Sequence, residues 1–279
     1  MVVFPNCKIN LGLNIVSKRP DGYHDIETVF YPVYGLTDIL EVTFDTTIWT
    51  PKGSVPVCEL AQTGLHVDCP PEKNIIVKAL YALANHFSLP HVRVHLHKQI
   101  PMGAGLGGGS ADAAFFVKCL RDMLQLEADD TQLKSILSTV GADCPFFIDN
   151  QPSIATGIGN ILSNCSIPSI DGKWILLVKP NVHVSTAQAY AGVRPSKPNE
   201  SVASIVQLPL DNWQGCMHND FEPSVFSSHP EIAEVKEWMM AHGAIYSAMS
   251  GSGATVFGIF NSPINQIFND NYFQWQGQL

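Results

Sequence analysis

Residues 101–112, Pro-Met-Gly-Ala-Gly-Leu-Gly-Gly-Gly-Ser-Ala-Asp, constrain this chain more than any other stretch, because five glycines in seven residues separate a strand pattern from a helix pattern. Val92, Val94 and Leu96 alternate with Arg93, His95 and His97 as in a half-buried strand, which Lys98 to Pro101 brings to an end. Ala113, Val117, Leu120 and Leu124 recur at helical spacing, so the pattern predicts a helix running from a Ser110 cap to about Leu124. A helix N-terminus offers unpaired amides at the positive end of its dipole, and glycine lets the backbone approach a ligand closely. An anionic group, phosphate above all, fits such a loop.

Composition leaves other readings open. A glycine-rich turn can exist only to let two elements pack. The string Gly103-x-Gly105-x-x-Gly108 also matches a dinucleotide fingerprint, which needs a second strand and an acidic residue about 20 positions on. Here Asp129 and Asp130 precede Leu133, Ile136, Leu137 and Val140, spaced for another helix with Thr131 as its cap, so the βαβ unit fails at its second strand. A Walker loop fails as well, since no Gly-Lys-Ser or Gly-Lys-Thr occurs.

The run Pro101-x-x-x-Gly105-Leu106-Gly107-Gly108-Gly109-Ser110-Ala111 resembles the phosphate loop of the GHMP kinases (galactose, homoserine, mevalonate and phosphomevalonate kinases), with Gly108 and Gly109 where serines are usual. The likeness recurs in order at Lys8-Ile9-Asn10-Leu11, Arg19 to His24, Gly141 to Phe147, Asn219-Asp220-Phe221-Glu222 and Met249 to Thr255. The triple glycine and Pro20-Asp21-Gly22-Tyr23-His24 are similar to the branch of the family whose acceptor alcohol is linked to cytidine diphosphate. The resemblance implies an α+β fold of two domains, here 1–155 and 156–279, with the active site in the cleft between them and the last residues returning to the first domain. It implies an ATP-dependent kinase whose nucleotide lies against Pro101, Met102, Gly103, Ala104, Gly105, Leu106, Gly107, Gly108, Gly109, Ser110 and Ala111.

Phosphoryl transfer also needs positive charge and a group to deprotonate the acceptor. Mg²⁺ is expected from that chemistry, with the Ser110 hydroxyl as a candidate ligand. Asp143 follows Gly141, expected at the C′ position of the Leu133 to Val140 helix, and precedes apolar Pro145-Phe146-Phe147, a partly desolvated setting for a general base. The resemblance places Lys8 beside it as the partner cation. Tyr23 and His24 offer a stacking face and a polar group for a cytosine. Thr186 and Tyr190 match family positions lining the same pocket, where Tyr190 is expected to close the stack from the opposite side, and Asn10 matches one that bonds the acceptor. A family member acting on another small alcohol, or a silent nucleotide-binding paralogue, stays open as an alternative.

A formal charge of −9 disfavours sequence-independent nucleic-acid binding. The N-terminus lacks a secretory pattern and no apolar run is long enough to span a membrane, so a cytoplasmic enzyme is expected. Seven cysteines without a Cys-x-x-Cys pair read as small buried residues of a reducing compartment, not as a metal cage. Elsewhere, Ile9, Leu11, Leu13 and Ile15 read as a strand, Ile76, Leu80, Leu83 and Phe87 as a helix after Asn74, residues 51–73 as an irregular excursion and 151–159 as a passage between halves. Trp174 to Val178 and Ala254 to Phe260 read as strands and Ile232 to Met239 as a helix. The turn Gly251-Ser252-Gly253 serves either the nucleotide or the fold alone.

Overall fold

The alternation of apolar residues from Ile9 to Ile15 produces the strand Asn6–Lys18, buried from Asn6 through Ile15 and so covered on both faces. The computed structural model describes residues 1–67, 69–266 and 268–279. It has an α+β architecture in two compact units: residues 1–7, 36–102 and 107–150 form one, and residues 8–35, 103–106 and 151–279 form the other.

The first unit holds a four-stranded sheet in the order Val2–Val3, Ile39–Thr50, Leu89–Lys98, Cys58–Gly64. Leu89–Lys98 buries Val92, Val94 and Leu96, as its alternation requires. The helices Ile75–Ala84, Gly108–Leu124, Asp130–Ser138 and Phe146–Asp149 complete the unit. The Asn74 side chain caps the first of them by accepting from the Ile76 amide at 2.9 Å.

Four expectations change here. Residues 51–73 are not wholly irregular: Cys58–Gly64 pairs in parallel with Leu89–Lys98, a main-chain partnership that hydrophobic periodicity does not report, while Asp68 lies outside the described residues. Helix Gly108–Leu124 is not capped by Ser110. Gly107, left-handed at φ +69°, is the cap, Gly108 and Gly109 are already helical, and Ser110 is the third helical residue. The next helix is capped by Asp129, which accepts from the Gln132 amide at 2.7 Å, and not by Thr131. That helix stops at Ser138 with Thr139 as its cap, so Gly141 stands one residue beyond C′.

The second unit has two four-stranded sheets. One runs Asn6–Lys18, His24–Thr37, Ser153–Thr156, Ile161–Asn164, so part of the expected passage at 151–159 is a paired strand. The other is antiparallel throughout, in the order Tyr246–Met249, Val256–Phe260, Trp174–Lys179, Phe273–Gln278. The last strand pairs with Trp174–Lys179 in this unit, and its Trp275 ring lies so close to Gly35, a residue of the expected domain 1–155, that a Cβ there would stand 2.8 Å from it. Leu13, Ile15, Val178, Phe221, Val235 and Val256 share its core with the helix Pro230–Ala241.

Candidate active site

Within the second unit, the glycine segment is built against the turn that follows Tyr246–Met249. Gly105 adopts φ +74°, and a Cβ there would stand 2.0 Å from the Ser250 carbonyl oxygen, so both its backbone and its neighbours require glycine. The Ser250 hydroxyl donates to the Gly105 carbonyl at 2.8 Å and accepts from the Asn10 amide at 3.2 Å. The Thr255 amide donates to the Ala104 carbonyl at 3.2 Å, and the Lys8 amide to the Leu106 carbonyl at 2.9 Å. Three consecutive carbonyls of the loop are thus spoken for, which turns the backbone in this segment to a fixed orientation.

The turn is itself held by Asn219. Its Nδ2 donates to the Met249 and Gly251 carbonyls at 2.7 and 2.8 Å, while its Oδ1 accepts from the Phe221 amide at 3.0 Å. Glu222 accepts from the Met249 amide at 2.8 Å and pairs with Lys236 at 2.6 Å. The sequence displays Asn219-Asp220-Phe221-Glu222 without revealing this task, because its partners are main-chain groups far along the chain. Asn219→Asp puts a carboxylate against two carbonyls, and urea unfolding is expected to show a loss of at least about 2 kcal/mol, larger than for Asn219→Ala.

Lys8 is 3% exposed, against the usual solvated strand end. Its Nζ donates to Asn10 Oδ1 at 2.5 Å and stands 4.7 Å from the Phe30 ring centre, an attractive position for a cation. Asn10, equally buried, donates through Nδ2 to Thr28 Oγ1 at 3.1 Å. Lys8 and Asn10 are therefore one buried polar pair.

The segment Arg19 to Tyr23 makes a tight turn in which the Arg19 amide donates to the Tyr23 carbonyl at 2.8 Å and Asp21 accepts from the Tyr23 amide at 3.0 Å. It leaves the Tyr23 ring 61% exposed. His24 stacks on Tyr190 at 4.8 Å between ring centres, and Tyr190 meets Phe221 edge-on at 4.9 Å. Two of the four expected pocket residues are thus in direct contact, so Tyr190 does not face His24 across a space for a base as expected, and Phe221, to which the sequence assigned no role in the pocket, backs them. Thr186 opens the helix Thr186–Ala191 and its hydroxyl lies 3.3 Å from that of Ser252, in the turn already described.

In the first unit, Pro101 is half-buried and Met102 exposed. Gly108 lies where a Cβ would meet Ile100 at 2.8 Å, so it brings helix Gly108–Leu124 close to the chain entering the loop, whereas Gly109 would meet only an ordinary 3.5 Å contact with Ile75. Asp143 is half-buried in the turn between Asp130–Ser138 and Phe146–Asp149. Next to it, burial pushes the Cys144 thiol up to about 12, against the pull of the Ser110 hydroxyl bonded to it. That thiol stays protonated and is no nucleophile. Among the described residues, no group of three His, Cys, Asp or Glu could hold a metal ion, and no helix is long and apolar enough to cross a membrane.

Residues 74–157 match the family model for the GHMP kinases N terminal domain, and residues 202–272 that for GHMP kinases C terminal. The chain is 49% identical, over 284 residues spanning 100% of both sequences, to the 4-diphosphocytidyl-2-C-methyl-D-erythritol kinase of Parabacteroides distasonis. It is 44% identical to the Porphyromonas gingivalis kinase of the same name over 99% of this chain and 98% of that one. A crystal structure of 4-(cytidine 5'-diphospho)-2C-methyl-D-erythritol kinase superposes with a TM-score of 0.74 at 32% identity, covering 93% of this chain and 90% of the other. Homoserine kinase from Cytophaga hutchinsonii, at 16% identity and a TM-score of 0.62 over 92% and 85% of the two chains, shares the fold.

Proposed function

The chain belongs to the GHMP kinase family, and from that premise we propose that it transfers the γ-phosphoryl group of ATP to the 2-hydroxyl of 4-diphosphocytidyl-2-C-methyl-D-erythritol, a step of the non-mevalonate route to isoprenoid precursors. The observation that carries the substrate is the likeness to the Parabacteroides distasonis kinase over the full length of both chains, which takes in the Arg19 to His24 turn. The reaction runs in the cytoplasm.

In this reading residues 101–111 receive the nucleotide phosphates. The carbonyls of Ala104, Gly105 and Leu106 point into protein partners, which supports a loop whose amides are left to the ligand. Asp143 takes the proton of the acceptor hydroxyl as its oxygen bonds to the γ-phosphorus and the bond to the ADP oxygen breaks; Lys8 supplies positive charge, with its direction fixed by Asn10 and Phe30. Mg²⁺ fits as an ion carried in by the nucleotide, since it binds through phosphates with few protein ligands, and the Ser110 hydroxyl in the first helical turn is the residue that would hold it. When bound it neutralises charge on the β- and γ-oxygens. Residues 1–155 carry the loop and the catalytic pair, and residues 156–279 complete the acceptor site.

The cytosine stacks on the outer side of the His24 and Tyr190 pair, with the exposed Tyr23 adjacent in sequence, because His24 and Tyr190, at 4.8 Å, leave no room for a base between them. Thr186 lines the same pocket, and Asn10 holds the methylerythritol end. Tyr190→Ala is expected to raise KM for the acceptor about tenfold, as loss of a stacking ring does, and to leave KM for ATP within about twofold. ADP release measured with 4-diphosphocytidyl-2-C-methyl-D-erythritol, mevalonate, homoserine and galactose tests the function. Turnover with the first alone is expected; turnover with another of them, or ATP binding without any, refutes the assignment.

A further inference from the structure

Lys98 closes the strand that leads into the phosphate loop, and Asp112 lies in the helix that leaves it. Both are buried, at 3% and 2% exposed, and so is Asp38, at 0%. Lys98 Nζ pairs with Asp38 Oδ2 at 2.5 Å and with Asp112 Oδ2 at 2.7 Å. The other oxygen of Asp38 accepts from the Gln99 amide at 2.6 Å and the Ile100 amide at 2.9 Å, the last backbone donors before Pro101. Gly108 admits this arrangement, since a Cβ there would stand 3.2 Å from Lys98 Nζ.

A buried ion pair adds little net stability over apolar side chains of the same size. What the cluster does supply is registry: one ammonium joins the two ends of the glycine run, and one carboxylate fixes the backbone at its entry. We propose that Asp38, Lys98 and Asp112 are positioning residues that hold the entry and exit of the loop together, so that the first turn of helix Gly108–Leu124 presents its amides to the nucleotide. This rests on the kinase reading for the identity of the ligand, and on no particular acceptor.

The test compares Asp112→Leu with Asp112→Asn in the full chain, by calorimetric titration with ADP and by KM for ATP and for the acceptor. The leucine variant, which keeps the bulk and loses the contact, is expected to raise the ADP dissociation constant and KM for ATP at least tenfold while KM for the acceptor stays within twofold. Asparagine retains an oxygen for Lys98 and is expected to recover most of the affinity. A folded leucine variant that binds ADP like the unaltered chain overturns the proposal, as does asparagine failing to recover affinity that leucine loses. Should the leucine variant not fold, Asp112→Ser, whose oxygen no longer reaches Lys98, carries the same expectation and the same refutation. An unaltered chain that binds ADP but leaves the acceptor unphosphorylated refutes the substrate assignment, and the ADP affinities still decide the positioning role.

Discussion

Asp143→Asn is expected to lower kcat by about 10²–10⁴-fold, the span that removal of a positioned general base produces, while the dissociation constant for ADP stays within about twofold. Asparagine keeps the size and one oxygen of the side chain but cannot hold a proton taken from a hydroxyl. The turn that carries Asp143, between Asp130–Ser138 and Phe146–Asp149, should tolerate the exchange, so thermal unfolding is expected to change little. Stopped turnover with unchanged ADP binding, read by calorimetry beside a steady-state assay, is the signature of a base. Turnover close to that of the unaltered chain removes Asp143 from the chemistry, and parallel loss of ADP binding makes it a structural residue of the loop.

Gly105→Ala should have the other large effect, on folding and nucleotide binding together. A left-handed alanine costs about 1–2 kcal/mol. The added methyl would also fall 2.0 Å from the Ser250 carbonyl oxygen, a main-chain atom that can yield only if the turn moves. Movement there breaks the Ser250 bonds to Gly105 and Asn10, so KM for ATP is expected to rise more than tenfold and the melting temperature to fall by several degrees, on the order of 2–4 °C for each kcal/mol lost. Gly103→Ala is the control: it too is left-handed, at φ +59°, but its methyl meets only the His183 ring at 3.0 Å, which can turn aside. Equal effects at the two positions would show that strain alone, and not the packing of Gly105 on Ser250, fixes the loop.

Local periodicity made the strand, loop and helix around residues 89–124 legible, because Val92, Val94, Leu96 and Ala113, Val117, Leu120 bury in the periods that their spacing sets. Lys8, Asn10, His24 and Tyr190 were each legible as candidate site residues, but the pairs they form, Lys8 with Asn10 and His24 with Tyr190, were not, since the expected partners were Asp143 for Lys8 and Tyr23 for His24. What stayed hidden depends on partners distant in sequence. Cys58–Gly64 becomes a strand because Leu89–Lys98 lies beside it, not because its side chains alternate strongly. Lys98 reads as a polar strand end until Asp38 and Asp112 are seen to neutralise it, and Asn219 reads as a loop residue until its two carbonyl partners appear. Serine is usual at positions 108 and 109; the close approach of Ile100 explains glycine at 108, and nothing in the structure explains it at 109.

The site of phosphorylation is open to direct reading by ³¹P NMR of the product formed from ATP and 4-diphosphocytidyl-2-C-methyl-D-erythritol. Carbon 2 of the acceptor bears a methyl group and no hydrogen, so a phosphomonoester there gives a new resonance without three-bond coupling to a carbinol proton. That uncoupled signal, growing in step with ADP, is the expected result. A doublet or triplet, which marks transfer to a hydroxyl on a carbon that carries hydrogen, or inorganic phosphate alone, would contradict it.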